Sequence, residues 1–526
     1  MGKMPLAGGI DLVEPVWTVP GFHTQDGPAH LYNAHILVES LSPGSPFKAV
    51  YEVRWAPLPN RVGHLTLMAL VATFPPWAAD RAMLTLTLVG LATSIGWLRW
   101  RVQGWRGMSR AAPWATLLAM NVAWLWGFSS FLIGSCLFAL TLGAWWSARD
   151  RFGPRAAATL TALLVVGYFC HLVSLGLTAV GLIMLALATP GPNRMRRIGW
   201  TVAALSVLAP LAVVYRTLAG PGQPLRPTWN LLAGPPSLAN WGAHLTWVDP
   251  LTLARKTLVP FLGFRPGWAA LIVPAAWFVL ALMVLALATF RQGRLGRDGA
   301  IARRGWLAAA LVLLAGGLVG PDSLGPAHGE FLPQRVALLG LIALTPVLDF
   351  GGPGRLNRLA GGLLIVALGL QSAFVWDYAV RSSRLAAEFL QARQHVGQRE
   401  RVGTLLLDLR GPYRANPLLH MDCLLGLGNG NILWSNYEAA HYYFPVHVRQ
   451  DVPHPPELEF ERISILDDPA DADVRARRWE ALLARHQGEI DRLVIWGDDP
   501  HLDAITARWF TPLAREGRVR VLRNTR

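Results

Sequence analysis

Ten apolar runs dominate the first 378 residues, at 82–100, 112–127, 130–147, 155–170, 172–189, 199–216, 268–290, 305–321, 335–350 and 358–378. A hydrocarbon layer takes roughly 17–25 apolar residues per helical crossing. Backbone groups cannot stay unpaired in lipid, so runs of this length are expected as membrane helices. The second to fifth runs are short. Each adjacent pair is either a hairpin or one long tilted helix, and the stretches Gly127 to Gly134 and Phe169 to Ser174 offer turns.

Flanking charge separates these options. Arginines gather at Arg99, Arg101, Arg106 and Arg110; at Arg149, Arg151 and Arg155; at Arg194, Arg196 and Arg197; at Arg291, Arg294, Arg297, Arg303 and Arg304; and at Arg355 and Arg358. All of these clusters fall on one side only if both pairs are hairpins, and the positive-inside rule makes that side cytoplasmic. The segment 1–80, the loop 217–267 and the tail 379–526 then face outward, and 81–378 is the transmembrane domain. Residues 62–75 are apolar but end in Pro75-Pro76, which suits an interfacial helix. A further membrane helix is therefore expected ahead of Met1. The alternative, a crossing by 62–80 itself, would upset the charge bias of every later loop.

At 52% hydrophobic and 15% charged residues, with a mean hydropathy of +0.33, the chain is too apolar for an ordinary soluble enzyme. Its net charge of +15 lies in short clusters between apolar runs, a pattern of topology rather than a nucleic-acid face. Cys136, Cys170 and Cys423 make neither a disulfide framework nor a metal-ligand spacing. Trp97, Trp100, Trp145, Trp146, Trp200 and Trp306 sit at span ends, where an amphipathic ring favours the interface. In the tail, charge returns and apolar runs shorten. Segments 403–409 and 491–497 read as buried strands, 480–486 as an amphipathic helix and 518–524 as an edge strand, giving a small α/β domain. The glycine-rich turn 426–431 matches no phosphate-binding fingerprint.

The stretch His23 to Leu37 carries the densest polar chemistry. Asp26 and His30 stand four apart, one face of a helix, with Tyr32 and Asn33 close by. A carboxylate beside an imidazole can serve as a general base or hold a metal. Asp26 can equally cap a helix that begins at Pro28. Arg335 lies at the outer mouth of the ninth run, where the charge rule disfavours it; His328 and Glu330 share its loop. Its stem suits the apolar layer while its guanidinium reaches headgroups, as interfacial snorkelling or as an ion pair with Glu330. Arg255 and Lys256, with Asp249, Trp241 and Trp247, lie in the long outer loop and suit a pyrophosphate or sugar face, or an ordinary interfacial loop. His171 reads as solvated at a hairpin turn. Glu52, Arg54 and Trp55 could line the same cavity, and Asn436, Tyr437, Glu438, His441, Tyr442 and Tyr443 make a polar aromatic cluster suited to carbohydrate stacking or to surface packing.

An outward loop with Asp-Gly-Pro-x-His-Leu-Tyr at 26–32, amphipathic helices, many short-looped spans and an outer soluble domain resemble the GT-C superfamily. These are membrane glycosyltransferases that use polyprenyl-phosphate-linked sugars, including the protein O-mannosyltransferase and aminoarabinose transferase group. The resemblance implies a polytopic α-helical fold with a C-terminal α/β domain in a bacterial inner membrane. Asp26 then corresponds to the first-loop acid, the base for the acceptor or a ligand to a divalent metal ion. Family members often carry an acidic pair where this chain has Gln25-Asp26. Departure of a sugar from a lipid phosphate builds negative charge that a guanidinium stabilises; Arg335, with His328, is expected to hold that phosphate. Two other readings stand beside this one: a transporter or flippase, disfavoured by span interiors nearly free of charge and by the lack of an internal repeat, and a non-catalytic assembly protein.

Overall fold

In the computed structural model, residues 7–191, 193–219, 297–320, 331–348, 354–407, 415–455, 460 and 472–526 are described. The expected run at 268–290 lies outside them, as does the loop from 220 onward.

The N-terminal segment folds as α1 (Ala7–Thr18), α2 (Gly27–Glu39), a short strand β1 (Tyr51–Val53) and α3 (Arg61–Thr73). The Pro75-Pro76 pair stops α3 and starts α4 (Pro76–Ala119), because proline lacks the amide that only a first-turn position can spare. Within α4, Gly104 has φ 73°, a left-handed value that costs glycine little. The chain doubles back there: Trp124 Nε1 donates to the Leu84 carbonyl at 3.1 Å, so the two arms lie side by side. The expected runs 82–100 and 112–127 are thus the arms of a hairpin.

Beyond Ala119 come α5 (Val122–Trp126), capped by the Asn121 side chain, then α6 (Ser129–Ala148), α7 (Pro154–Cys170) and α8 (Leu172–Ala188). Extended backbone at His171 separates α7 from α8. Asn193 bonds the Asp150 carbonyl near the start of α7, and Arg194 bonds the Leu187 carbonyl at the end of α8. The start of one helix therefore meets the end of the other, which makes them a hairpin and not one tilted rod. Next are α9 (Arg194–Leu205), α10 (Leu208–Leu218), α11 (Arg297–Val319), α12 (Leu332–Leu344) and α13 (Arg355–Phe389). The expected end of the last run at 378 falls inside α13, because Tyr378, Ala379, Ala386 and Phe389 keep one buried stripe going.

Among the described residues, four helical segments are long and apolar enough to cross a membrane: Pro76–Ala119, Ser129–Arg151, Arg194–Leu218 and Arg355–Gln394. Leu86, Val89, Ile183, Val202, Val213, Ile365, Val366 and Leu370 on these and neighbouring helices turn outward and are exposed. A belt of that kind is unfavourable in water and ordinary in lipid. The protein is an integral membrane protein.

Arginines mark one end of the bundle. Arg101 bonds Ser147 at 2.6 Å, Arg99 donates to the Thr345 carbonyl at 2.7 Å, and Arg197 bonds the Thr189 carbonyl. The opposite end carries the tail, where β2 (Arg401–Leu406), β3 (Ile432–Leu433), β5 (Arg492–Trp496), β6 (Phe510–Glu516) and β7 (Val519–Asn524) form one sheet in the order β3-β2-β5-β7-β6. A further strand, β4 (Val446–Val448), pairs antiparallel with β1 of the N-terminal segment. The helix α14 (Ala472–His486) and the short α15 (Pro500–Thr506) complete the α/β domain. The expected edge strand at 518–524 is an inner strand instead. The edge is β6, masked in sequence by Pro512 and exposed polar positions. One apolar core unites Ala29, Leu31, Ile36, Leu67 and Met83 with Phe389, Leu405, Leu425 and Trp496, so the first loop and the tail fold as one body.

Candidate functional site

Asp26 precedes α2 with helical backbone (φ −93°, ψ −10°), and its side chain makes no capping bond. The capping role is therefore unfilled, and the carboxylate is available for other work. Its backbone is fixed from below: Gln25 and Asp26 amides donate to the Leu125 and Trp126 carbonyls at 3.0 and 2.9 Å. Gly127, at φ 86°, makes this approach close, since a Cβ there would lie 2.9 Å from the Gly27 amide. The Asp26 side chain is 13% exposed, with His420 Nε2 3.8 Å away. Burial pushes its carboxyl up to about 6, against the pull of His30. His420 is pushed down to about 3 by burial, so it stands neutral.

One turn along α2, His30 Nδ1 meets a carboxylate oxygen of Glu438. Its other oxygen meets His64 Nε2 of α3 at 2.7 Å. Burial would raise the Glu438 carboxyl, but His64 and His30 hold it down at about 2. Burial likewise works against a charged His30, and Glu438 more than offsets it, raising that imidazole.

Arg335 arrives from α12. Its Nη1 donates to His171 Nε2 at 2.9 Å, and its guanidinium lies over the Phe128 and Phe131 rings at 4.5 and 5.3 Å. Its charge reaches Asp26, whose carboxyl it helps to lower. Asp26 and Arg335, distant in sequence, thus lie near enough for the charge of one to act on the other. A small pocket of about 20 Å³, room for about one water, lies next to Gly27 and is lined by Thr24, Gly27, His30, Asp80, Trp124 and Ser129 among others.

The remaining expected site residues divide. Tyr32 and Asn33 are fully buried: Tyr32 donates to the Asn431 carbonyl at 2.8 Å, and Asn33 exchanges side-chain bonds with Asn436. A substrate contact needs an accessible atom, so both belong to the seam between α2 and the tail. The turn at 426–431 serves the same seam, for Gly426 lies flat against the Tyr32 ring. His328, Glu330, Arg255 and Lys256 lie outside the described residues. His171 is not merely solvated but is the partner of Arg335. Glu52 pairs with Arg54 on the surface and Trp55 is exposed. In the tail cluster, Asn436 and Glu438 are buried, while Tyr437, His441 and Tyr443 pack ring against ring.

The sequence passed over His64 and His420 and placed Glu438 in a polar aromatic cluster suited to carbohydrate stacking or to surface packing. A lone histidine within the apolar face of α3 was the available signal for His64.

No family model matches this chain, and no curated protein matches it. Among solved structures, it is similar to the arabinofuranosyltransferase AftD from Mycobacteria, with a TM-score of 0.47 and 16% identity over 98% of this chain and 39% of that one. It therefore spans about two fifths of that protein's length. It is also similar to ArnT from Cupriavidus metallidurans in the apo state, with a TM-score of 0.43 and 14% identity over 98% of this chain and 96% of that one. What the chain does is read below from its own residues.

Proposed function

We propose that the protein is a membrane glycosyltransferase that moves a sugar from a polyprenyl-phosphate donor to an acceptor on the outer face of the membrane. One observation carries this: a largely buried carboxylate, and a guanidinium whose charge it feels, stand at the membrane end of the tail. The Asp26 carboxylate takes the proton of an acceptor hydroxyl. The acceptor oxygen attacks the anomeric carbon, the bond from that carbon to the donor phosphate oxygen breaks, and its electron pair stays on the phosphate. Arg335 donates hydrogen bonds to the phosphate as this charge grows, held in aim by His171 and the two phenylalanine rings. A base that holds a proton near pH 6 suits proton transfer at neutral pH. The apolar belt lets a lipid chain approach laterally while its head meets the outer end of the bundle, which supports a lipid-linked donor over a soluble nucleotide sugar.

The test is transfer of labelled sugar from a panel of polyprenyl-phosphate donors in membranes. The Asp26→Asn variant, matched for expression and thermal stability, is expected to lose roughly 10²–10⁴-fold in rate. Undiminished transfer by the variant would remove Asp26 from the reaction. Failure of the folded parent with every donor, together with labelled substrate accumulating in vesicles, would favour a transporter.

A further inference from the structure

Three side chains from distant parts of the chain aim at one point. His30 of α2, His64 of α3 and Glu438 of the tail each present one ligand atom, all within 4.8 Å of one another. Glu438 is fully buried and His64 nearly so. A carboxylate removed from water needs a cation or several donors around it.

The outer side of the His64 ring indicates what that cation is. His64 Nδ1 lies 3.3 Å from the Asn60 carbonyl, which can only accept, so that nitrogen carries a proton. The His64 Nε2 faces a Glu438 oxygen 2.7 Å away. The Nδ1 of His30 faces the other Glu438 oxygen. Imidazoles anchored on one nitrogen by backbone and turned inward on the other are the usual setting of metal-ligating histidines. The two rings stand at 83° with centroids 5.5 Å apart, and Phe444 packs against both as an apolar wall.

We infer that His30, His64 and Glu438 bind a divalent transition ion of the zinc class. Two nitrogens and one carboxylate oxygen form a ligand set typical of Zn²⁺, whereas magnesium and calcium prefer oxygen throughout. A tetrahedral ion with bonds of about 2.0–2.2 Å spaces its ligands about 3.3–3.6 Å apart, within reach of small side-chain rotations here. Three protein ligands leave one place for water. The ion is a clasp: it ties α2 and α3 to the tail and fixes the turn of α2 that follows Asp26. Asp26 is not among its ligands. The inference rests on these three side chains and not on the transfer reaction, and its first readouts need no turnover.

The test uses the full chain, purified without an affinity tag, dialysed against a zinc buffer and analysed for metal. About one equivalent of zinc is expected in the parent, and at least tenfold weaker retention in Glu438→Gln and His64→Ala. Chelation of the parent should lower its Tm, with recovery on adding Zn²⁺ but not Mg²⁺. Cobalt substitution should give the intense visible bands of a tetrahedral site. His64→Cys, which keeps a ligand atom, should retain metal where His64→Ala does not. The parent's own behaviour settles the matter even if a variant misfolds: no bound zinc and a Tm indifferent to chelator would overturn the site and leave Glu438 held by imidazolium protons.

Discussion

At the arginine-rich end of the bundle, Arg99 is 1% exposed and donates to the Thr345 carbonyl, and Arg197 is 2% exposed and donates to that of Thr189. At the tail end, Asp26, His30, His64 and Glu438 answer one another, and Arg335 answers His171. Both ends bury charge, yet Arg99 and Arg197 lean on fixed backbone while the tail end pairs titratable side chains with one another. A carbonyl cannot give up or take a proton, so the first arrangement locks helices together and does nothing else. Imidazoles and carboxylates exchange protons and accept ligands, so the second can react. The difference teaches where to look for chemistry in a chain with forty-eight lysines and arginines: at the few cations that face other titratable groups.

Exchanging one arginine at each end breaks or sharpens that contrast. Arg335→Gln keeps a hydrogen-bond donor and removes the charge; on the proposed reaction it should cut the transfer rate by about 10²–10³-fold, the effect of losing a donor aimed at developing negative charge. Arg99→Gln should leave the rate per folded molecule unchanged while lowering stability by about 1–3 kcal/mol, as the Thr345 carbonyl loses its buried partner. Equal losses of rate in the two variants would erase the functional distinction between the ends.

The sequence made the bundle legible because hydropathy and arginine clusters act over whole helices: the hairpin at His171 follows from charge bias and the turn offered by Phe169 to Ser174, and the break between the runs 82–100 and 112–127 falls at Gly104. Asp26 and Arg335 stood out for a related reason, each being a polar residue out of keeping with its surroundings. The partnership around Glu438 was not, since it joins α2 and α3 to a turn some 400 residues away, and neither local periodicity nor spacing encodes a contact of that range. Tyr32 and Asn33 misled for the converse reason. Sharing a helix with Asp26 suggested a shared site, but they lie on the face that the tail covers.

That seam is also where a methyl group should matter. A Cβ on Gly426 would stand 2.3 Å from the Tyr32 ring and 2.7 Å from Leu433, both held in a packed core. Gly426→Ala is expected to lower stability by about 1–3 kcal/mol, read as a fall in Tm of the purified protein. At Gly362, where nothing lies within 4 Å of a Cβ in the bundle helix α13, the same substitution should leave the Tm unchanged or raise it. A Tm for Gly426→Ala equal to the parent's would mean that α2 and the tail are less tightly joined than their side chains suggest.

The smallest effect expected separates the seam's strands from its metal-type cluster. His447 sits in β4 opposite Glu52 of β1, and burial, with Arg54 close by, pushes its imidazole down to about 4. The folded state therefore favours the neutral ring, whereas the unfolded chain protonates near 6.5. Stability from this group is complete above about pH 6.5 and drains away as pH falls towards 4, by an amount on the order of 2 kcal/mol at most once partial solvation is allowed for. His447→Gln removes the titration, so the difference in Tm between parent and variant should shrink or reverse from pH 7 to pH 5. The acid response of the rest of the chain is common to both proteins and cancels in that difference. A gap that stays constant across the range would place the acid sensitivity of the tail elsewhere than in the β1–β4 pair.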